Sequence, residues 1–151
     1  MSKLPVVDGE GAIRLSFSAN MLFVRPVRHF IGALCDLARY DEEDTESISL
    51  VITEMLNNSI EHGSHSEDDE IDVHLVVGPG QFRFTVVDPG RGGAEFAHEA
   101  EDKAAEMPNL EDPRGRGLFL IRSYMDDLRV TFDPKTGTTF SVFKVVESKV
   151  T

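Results

Sequence analysis

Cysteine, basic charge and long apolar runs are the scarce features of this chain, and each scarcity excludes something. A single cysteine, Cys35, stands among 151 residues, so no internal disulfide can form and no thiolate cluster can hold zinc. Lys and Arg total 15 against 27 Asp and Glu, a net charge of −12. Binding a nucleic-acid backbone or an anionic membrane surface needs a basic face, so both are excluded as expected partners. No stretch approaches the 18 consecutive apolar residues of a membrane span. The start, Met1-Ser2-Lys3-Leu4-Pro5, has no apolar core of a signal peptide, and a cytoplasmic protein is expected. No G-x-x-x-x-G-K-[ST] occurs, which excludes a P-loop.

What is present fits one globular domain, expected over residues 12–147 between short tails at 1–11 and 148–151. The alternation of Ile13, Leu15 and Phe17 with polar residues predicts a strand. Ser18 or Asn20 is placed to cap a helix from about Met21 to Arg39, with Val24, Val27, Ile31, Leu34, Cys35 and Ala38 on one stripe; Pro26 falls within it, so the regular helix is expected to begin only there, with Pro in the first turn. Asp41-Glu42-Glu43-Asp44 suits the N-terminus of a second helix, which runs to Gly63 and buries Ile48, Val51, Ile52, Met55 and Ser59. Two alternating runs around Gly78-Pro79-Gly80 predict a hairpin. Ala94 to Arg114 shows no clear strand and two prolines; so long a connection reads as a functional lid. The apolar run Leu118–Met125 predicts a third helix, followed by strands around Leu128–Phe132 and Phe140–Val146. Long helices with antiparallel hairpins make an α+β two-layer sandwich the expected fold, a mainly antiparallel mixed sheet with helices on one face.

Three stretches carry chemistry. On the second helix Glu54, Asn58 and His62 recur every four residues and stack about 5–6 Å apart beside the apolar stripe. An acid, an amide and an imidazole in a row cost helix propensity, Asn especially. Asp88-Pro89-Gly90-Arg91-Gly92 puts a carboxylate at a strand end, able to accept hydrogen bonds from an exocyclic amine such as that of adenine, beside glycines that let a flat group approach. Gly115-Arg116-Gly117 opens a helix, where free N–H groups and the positive end of the dipole suit phosphate, with Arg114 adding charge. Each stretch alone has an ordinary reading: a solvated face, a turn, a loop. His62-x-x-His65 is a metal pair only with a third ligand, and none is evident.

In order, Glu54-x-x-x-Asn58-x-x-x-His62-Gly63, Asp88-x-Gly90-x-Gly92, Arg114-Gly115-Arg116-Gly117-Leu118 and Gly137-Thr138-Thr139 resemble the nucleotide boxes of the GHKL (Bergerat-fold) ATPases. Within these the chain is similar to the anti-sigma-factor serine/threonine kinases of the RsbW type, over about Ile13 to Val146. The resemblance implies ATP as substrate and Mg²⁺ held by Asn58. It implies Glu54 as general base, Asp88 on the adenine amine with Gly90 and Gly92 giving room, and Thr138 adding a hydroxyl. His62, Gly115, Arg116, Gly117 and Leu118 complete the nucleotide site, and Arg114 offsets charge on the γ-phosphate. It also implies a STAS-type anti-anti-sigma protein as phosphoacceptor, a sigma factor as second partner, and a homodimer. Two other readings stand beside the kinase: a nucleotide-gated regulatory module that transfers nothing, and an ATP-hydrolysing conformational motor. Glu54, which a pure binder does not need, favours the kinase.

Overall fold

The computed structural model describes residues 13–95, 97–98 and 113–147, with side chains in the last stretch from residue 117 onward. Both expected tails and most of the expected lid lie outside the described residues. Among the described residues these elements follow in the expected order: β1 (Ile13–Ser18), α1 (Val24–Leu37), α2 (Glu42–Glu61), β2 (Glu70–Gly78), β3 (Gln81–Asp88), α3 (Pro113–Tyr124), β4 (Asp127–Asp133) and β5 (Gly137–Val145), with residues 93–95 and 97–98 also helical.

The first helix starts late, as Pro26 predicts, and ends earlier than its sequence suggests. Asn20 caps the segment, its side chain accepting from the Leu22 N–H (2.9 Å). Met21–Phe23 then winds as a 3₁₀ turn before α1 begins. Pro26 has no N–H to return to the Leu22 carbonyl, so the turn ahead of it tightens. At the other end α1 stops at Leu37, and Arg39 adopts a left-handed φ of 61°. The Tyr40 N–H then reaches back to the Cys35 carbonyl (3.1 Å) and the Arg39 N–H to that of Asp36 (3.0 Å), a closure usually made by glycine. The buried Tyr40 hydroxyl lies 2.7 Å from the Gly78 carbonyl and 2.8 Å from that of Gln81, tying this corner to the β2–β3 hairpin. Asp41 caps α2 by accepting from the Asp44 N–H (2.7 Å).

The sheet order is β1-β2-β3-β5-β4. Every ladder is antiparallel, so the antiparallel character expected for most of the sheet holds for all of it. Ile71, Val73, Leu75, Val77, Phe82, Phe84 and Val86 are fully buried. They form one sheet face beneath the helices, with Ile31, Ile48, Ile52, Met55, Leu56, Leu118 and Ile121 in the same core. Helix α2 packs between α1 and α3 and onto β3. Lys144, at the end of β5, donates to the Tyr124 carbonyl (3.0 Å) and pairs with Asp44 (3.6 Å), joining the end of α3 to the start of α2. Cys35 is wholly buried, and burial pushes its thiol up to about 12, so it is an inert core residue. Among the described residues no helix is long and apolar enough to cross a membrane.

Candidate functional site

The central helix and the alternation of the central strand build the site. Along β3, Phe82, Phe84 and Val86 face the helices, and the same parity carries Asp88 inward at the strand end. The ladder places Thr138 of β5 directly beside it. Asp88 is 4% exposed and Thr138 2%. A carboxylate buried there must be hydrogen-bonded. The Gly90 N–H donates to its Oδ1 (2.7 Å), and the Ser59 hydroxyl and the Thr138 N–H lie near enough to favour its charged form. Burial nonetheless outweighs these neighbours and holds the Asp88 pKa above the ordinary carboxylate value. The Thr138 hydroxyl is buried with no hydrogen-bond partner among the described residues. A sealed carboxylate beside an uncommitted hydroxyl is a recognition pair for a ligand with a donor edge.

Glycines bring the elements into contact here. A Cβ on Gly63 would overlap the Asp88 carboxylate, so only glycine lets the end of α2 close on it. Gly63 does not adopt the left-handed conformation expected of a helix-terminating glycine; closeness is its role. Gly137, at φ 93°, lies so near that a Cβ would overlap the Asp88 carbonyl oxygen. Gly90, at φ 74°, has Phe132 and Gly137 within 2.9 Å of where a Cβ would stand.

Further back along α2, Glu54 meets α3 at Gly117, which is buried and where a Cβ would collide with Oε2 of Glu54. The acid of α2 thus meets the glycine-rich start of α3. Glu54 is half-buried, and its pKa is raised first by desolvation and then by the charge of Glu61. An elevated carboxylate is better matched to general-base work than an ordinary one. Asn58, one turn on, is 7% exposed, and its Nδ2 has no hydrogen-bond partner among the described residues. The amide would meet a cation through its oxygen. Mg²⁺ commonly takes one or two protein oxygens and completes its octahedron with phosphate and water, and this amide beside Glu54 fits that demand. From Glu54 to Gly63 is about 14 Å of helix at 1.5 Å per residue. That is the scale of an extended nucleoside triphosphate.

The other sequence-predicted residues fall as follows. His62 caps α2, its N–H donating to the Asn58 carbonyl (2.9 Å), and its half-exposed ring stands 3.9 Å from Glu61. Gly92 is half-buried in the turn after β3. Leu118 is 1% exposed and belongs to the core, leaving only its backbone for a ligand. Pro113, expected to break a helix, instead opens α3, as its missing N–H allows in a first turn. This puts the backbone of Arg114, Gly115 and Arg116 at the helix start; the side chains of Arg114 and Arg116 lie outside the described residues. Among the described residues no group of three His, Cys, Asp or Glu side chains could hold a metal, so the His62–His65 pair gains no third ligand. Sequence reasoning missed Ser59 beside Asp88 and, although Gly63 and Gly137 stand in the nucleotide-box motifs, gave neither a role of its own. The signals were present in Ser59 one residue after the metal amide, His62-Gly63, and Gly137-Thr138.

Residues 17–143 match the family described as the histidine kinase-like ATPase domain. The chain belongs to that family. Among its relatives is the anti-sigma F factor of Oceanobacillus iheyensis, 30% identical over 138 residues that cover 90% of this chain and 91% of that protein. The anti-sigma F factor of Halalkalibacterium halodurans is 27% identical over 128 residues, covering 84% and 87%. The serine-protein kinase RsbW of Listeria monocytogenes serotype 4a is 26% identical over 144 residues, covering 91% and 88%. The fold recurs in the SiaB–SiaC complex structure of Pseudomonas aeruginosa, with a TM-score of 0.69 at 13% identity and 88% of each chain covered. It also recurs in the RsbU and RsbW domains of a Mycobacterium tuberculosis protein, with a TM-score of 0.61 at 18% identity. That match covers 93% of this chain and 34% of the other.

Proposed function

We propose that this histidine kinase-like ATPase domain is a cytoplasmic serine/threonine-protein kinase and anti-sigma factor. It transfers the γ-phosphate of ATP to a serine or threonine of a small STAS-type anti-anti-sigma partner. The observation that carries the reading is the Glu54 carboxylate set against Gly117 of α3, with its pKa raised by burial. A module that only holds nucleotide has no need of a base at that point. Relatives named as anti-sigma F factors and as a serine-protein kinase support the same assignment.

In this reading residues 12–147 form one ATP-binding domain with a lid at about 94–114. Asp88 accepts from the adenine amine, the Thr138 hydroxyl adds a second contact, and Gly90 and Gly92 leave the base room. The start of α3, with Gly115, Arg116, Gly117 and Leu118, faces the phosphates, the free backbone N–H groups being those of the first turn at Arg114 and Gly115, and Arg114 offsets charge on the γ-phosphate. His62 closes the helix beside the site. Asn58 holds Mg²⁺, which when bound neutralises phosphate charge. The acceptor hydroxyl oxygen bonds to the γ-phosphorus, the bond to the bridging oxygen breaks, ADP departs, and the hydroxyl proton passes to Glu54. The protein acts as a homodimer that holds a sigma factor in one state and phosphorylates its STAS-type partner in the other.

Calorimetric titration with ATP, with and without Mg²⁺, tests the nucleotide half. Binding by the wild type that loses its Mg²⁺ dependence in Asn58→Ala is expected. Unchanged Mg²⁺-dependent binding in that variant would contradict the metal assignment.

A further inference from the structure

The turn after β3 is fastened to the rest of the molecule twice through one residue. The Arg91 N–H donates to the Gly63 carbonyl (3.0 Å), joining the turn to the end of α2. Its guanidinium grips the Asp69 carboxylate, Nη2 to Oδ1 at 3.0 Å and Nε toward Oδ2 at 3.4 Å. Asp69 is itself fixed: its Oδ2 accepts from the His65 N–H (2.8 Å), and its carbonyl accepts from the Ala19 N–H at the end of β1 (2.8 Å). Arg91 thus spans from the α2–β2 loop to the loop that carries Asp88 and Gly90. One of its anchors is Gly63, the residue whose lack of a side chain lets α2 meet the Asp88 carboxylate.

We infer that Arg91 and Asp69 form a clasp that positions Asp88 for the base of the nucleotide. The inference rests on the adenine-site reading above and adds a positioning pair to it. Without the guanidinium, the 89–93 turn keeps only its backbone tether, and the carboxylate loses a fixed angle to its ligand. There is also a charge effect. Asp69 is near enough to disfavour ionisation of Asp88, and Arg91 screens that charge while it is paired. The Arg91 side chain is about half exposed while that of Asp69 is largely covered; a pair open to water on one side contributes modestly to overall stability, and its effect falls on the local geometry of the turn. A lysine would keep the charge and lose the planar fork that meets both carboxylate oxygens.

The test is a double-mutant cycle. Wild type, Arg91→Ala, Asp69→Asn and the double variant are each titrated with ADP and with Mg-tripolyphosphate, which lacks the base. Exchange of the Gly90 and Arg91 amides is followed in parallel. The clasp predicts that each single variant weakens ADP by about two- to fivefold and leaves tripolyphosphate unchanged. It predicts a double variant no weaker than the worse single one, faster amide exchange in all three, and partial recovery in Arg91→Lys. Equal losses for ADP and tripolyphosphate, additive losses, or faster exchange with unchanged ADP affinity would each overturn the positioning role. A wild type that binds tripolyphosphate but no ADP would instead overturn the adenine reading, while the exchange rates would still report whether the clasp forms.

Discussion

Asp88 is a costly residue for the empty protein. Its carboxylate is sealed under the end of α2, and burial raises its pKa despite three neighbours that favour its charged form. A carboxyl with a raised folded-state pKa binds protons more tightly in the folded chain than in the unfolded one. Its contribution to stability is therefore greatest at low pH and is lost as pH rises through that raised value. Asp88→Asn should raise the melting temperature of the nucleotide-free protein, and the difference from wild type should grow from acid toward neutral pH. The same change should weaken ADP by roughly 10- to 100-fold, since a charge-assisted acceptor is lost, and spare inorganic triphosphate. Paired melting curves and titrations check both, and a variant that is destabilised at neutral pH would contradict the account. Glu54 follows the same logic with a different readout. As a general base with a raised pKa, it should give single-turnover transfer an acid limb above the ordinary carboxylate range. Glu54→Gln should keep ADP affinity while lowering transfer about 100-fold or more.

The contacts between elements depend on what is missing from glycines. Gly117 admits Glu54, and Gly63 admits Asp88. Gly117→Ala should push α3 from α2 and reduce transfer at least tenfold, more than it reduces ADP affinity, whereas Gly63→Ala should do the reverse. Kinetics on the two variants distinguish the two contacts. Away from the site, Tyr40→Phe removes the hydroxyl that meets two hairpin carbonyls and should cost about 1–2 kcal/mol of unfolding free energy in denaturant. Order and type of the elements were legible in the sequence because alternation and the 3.6-residue stripe were both strong, as in β3 and α2. The delayed start of α1 was legible in Pro26, which falls in its first turn. Its end was not, because Arg39 took a conformation that residue identity does not advertise. The stripe of Glu54, Asn58 and His62 was legible as spacing on one helix. The partners Ser59, Gly63, Asp69 and Arg91 were not, because their roles depend on distances between segments far apart in the chain.

At the scale of the molecule, the charge of −12 suits a regulator that meets proteins rather than nucleic acid, since a strongly acidic surface steers toward basic partners. A homodimer predicts twice 16.8 kDa by light scattering, and a monomer mass at micromolar concentration would contradict that part of the proposal. The family places an ATP site in a chain of this kind; transfer to a protein is the claim that separates a kinase from a nucleotide-gated module. The most direct measurement is transfer of label from γ-labelled ATP, with Mg²⁺, to a purified STAS-type anti-anti-sigma protein from the same genome, with Glu54→Gln run beside the wild type. The account predicts label on a serine or threonine of the partner with the wild type and almost none with the variant. Tight ATP binding with an unlabelled partner, or equal labelling by both proteins, would contradict it.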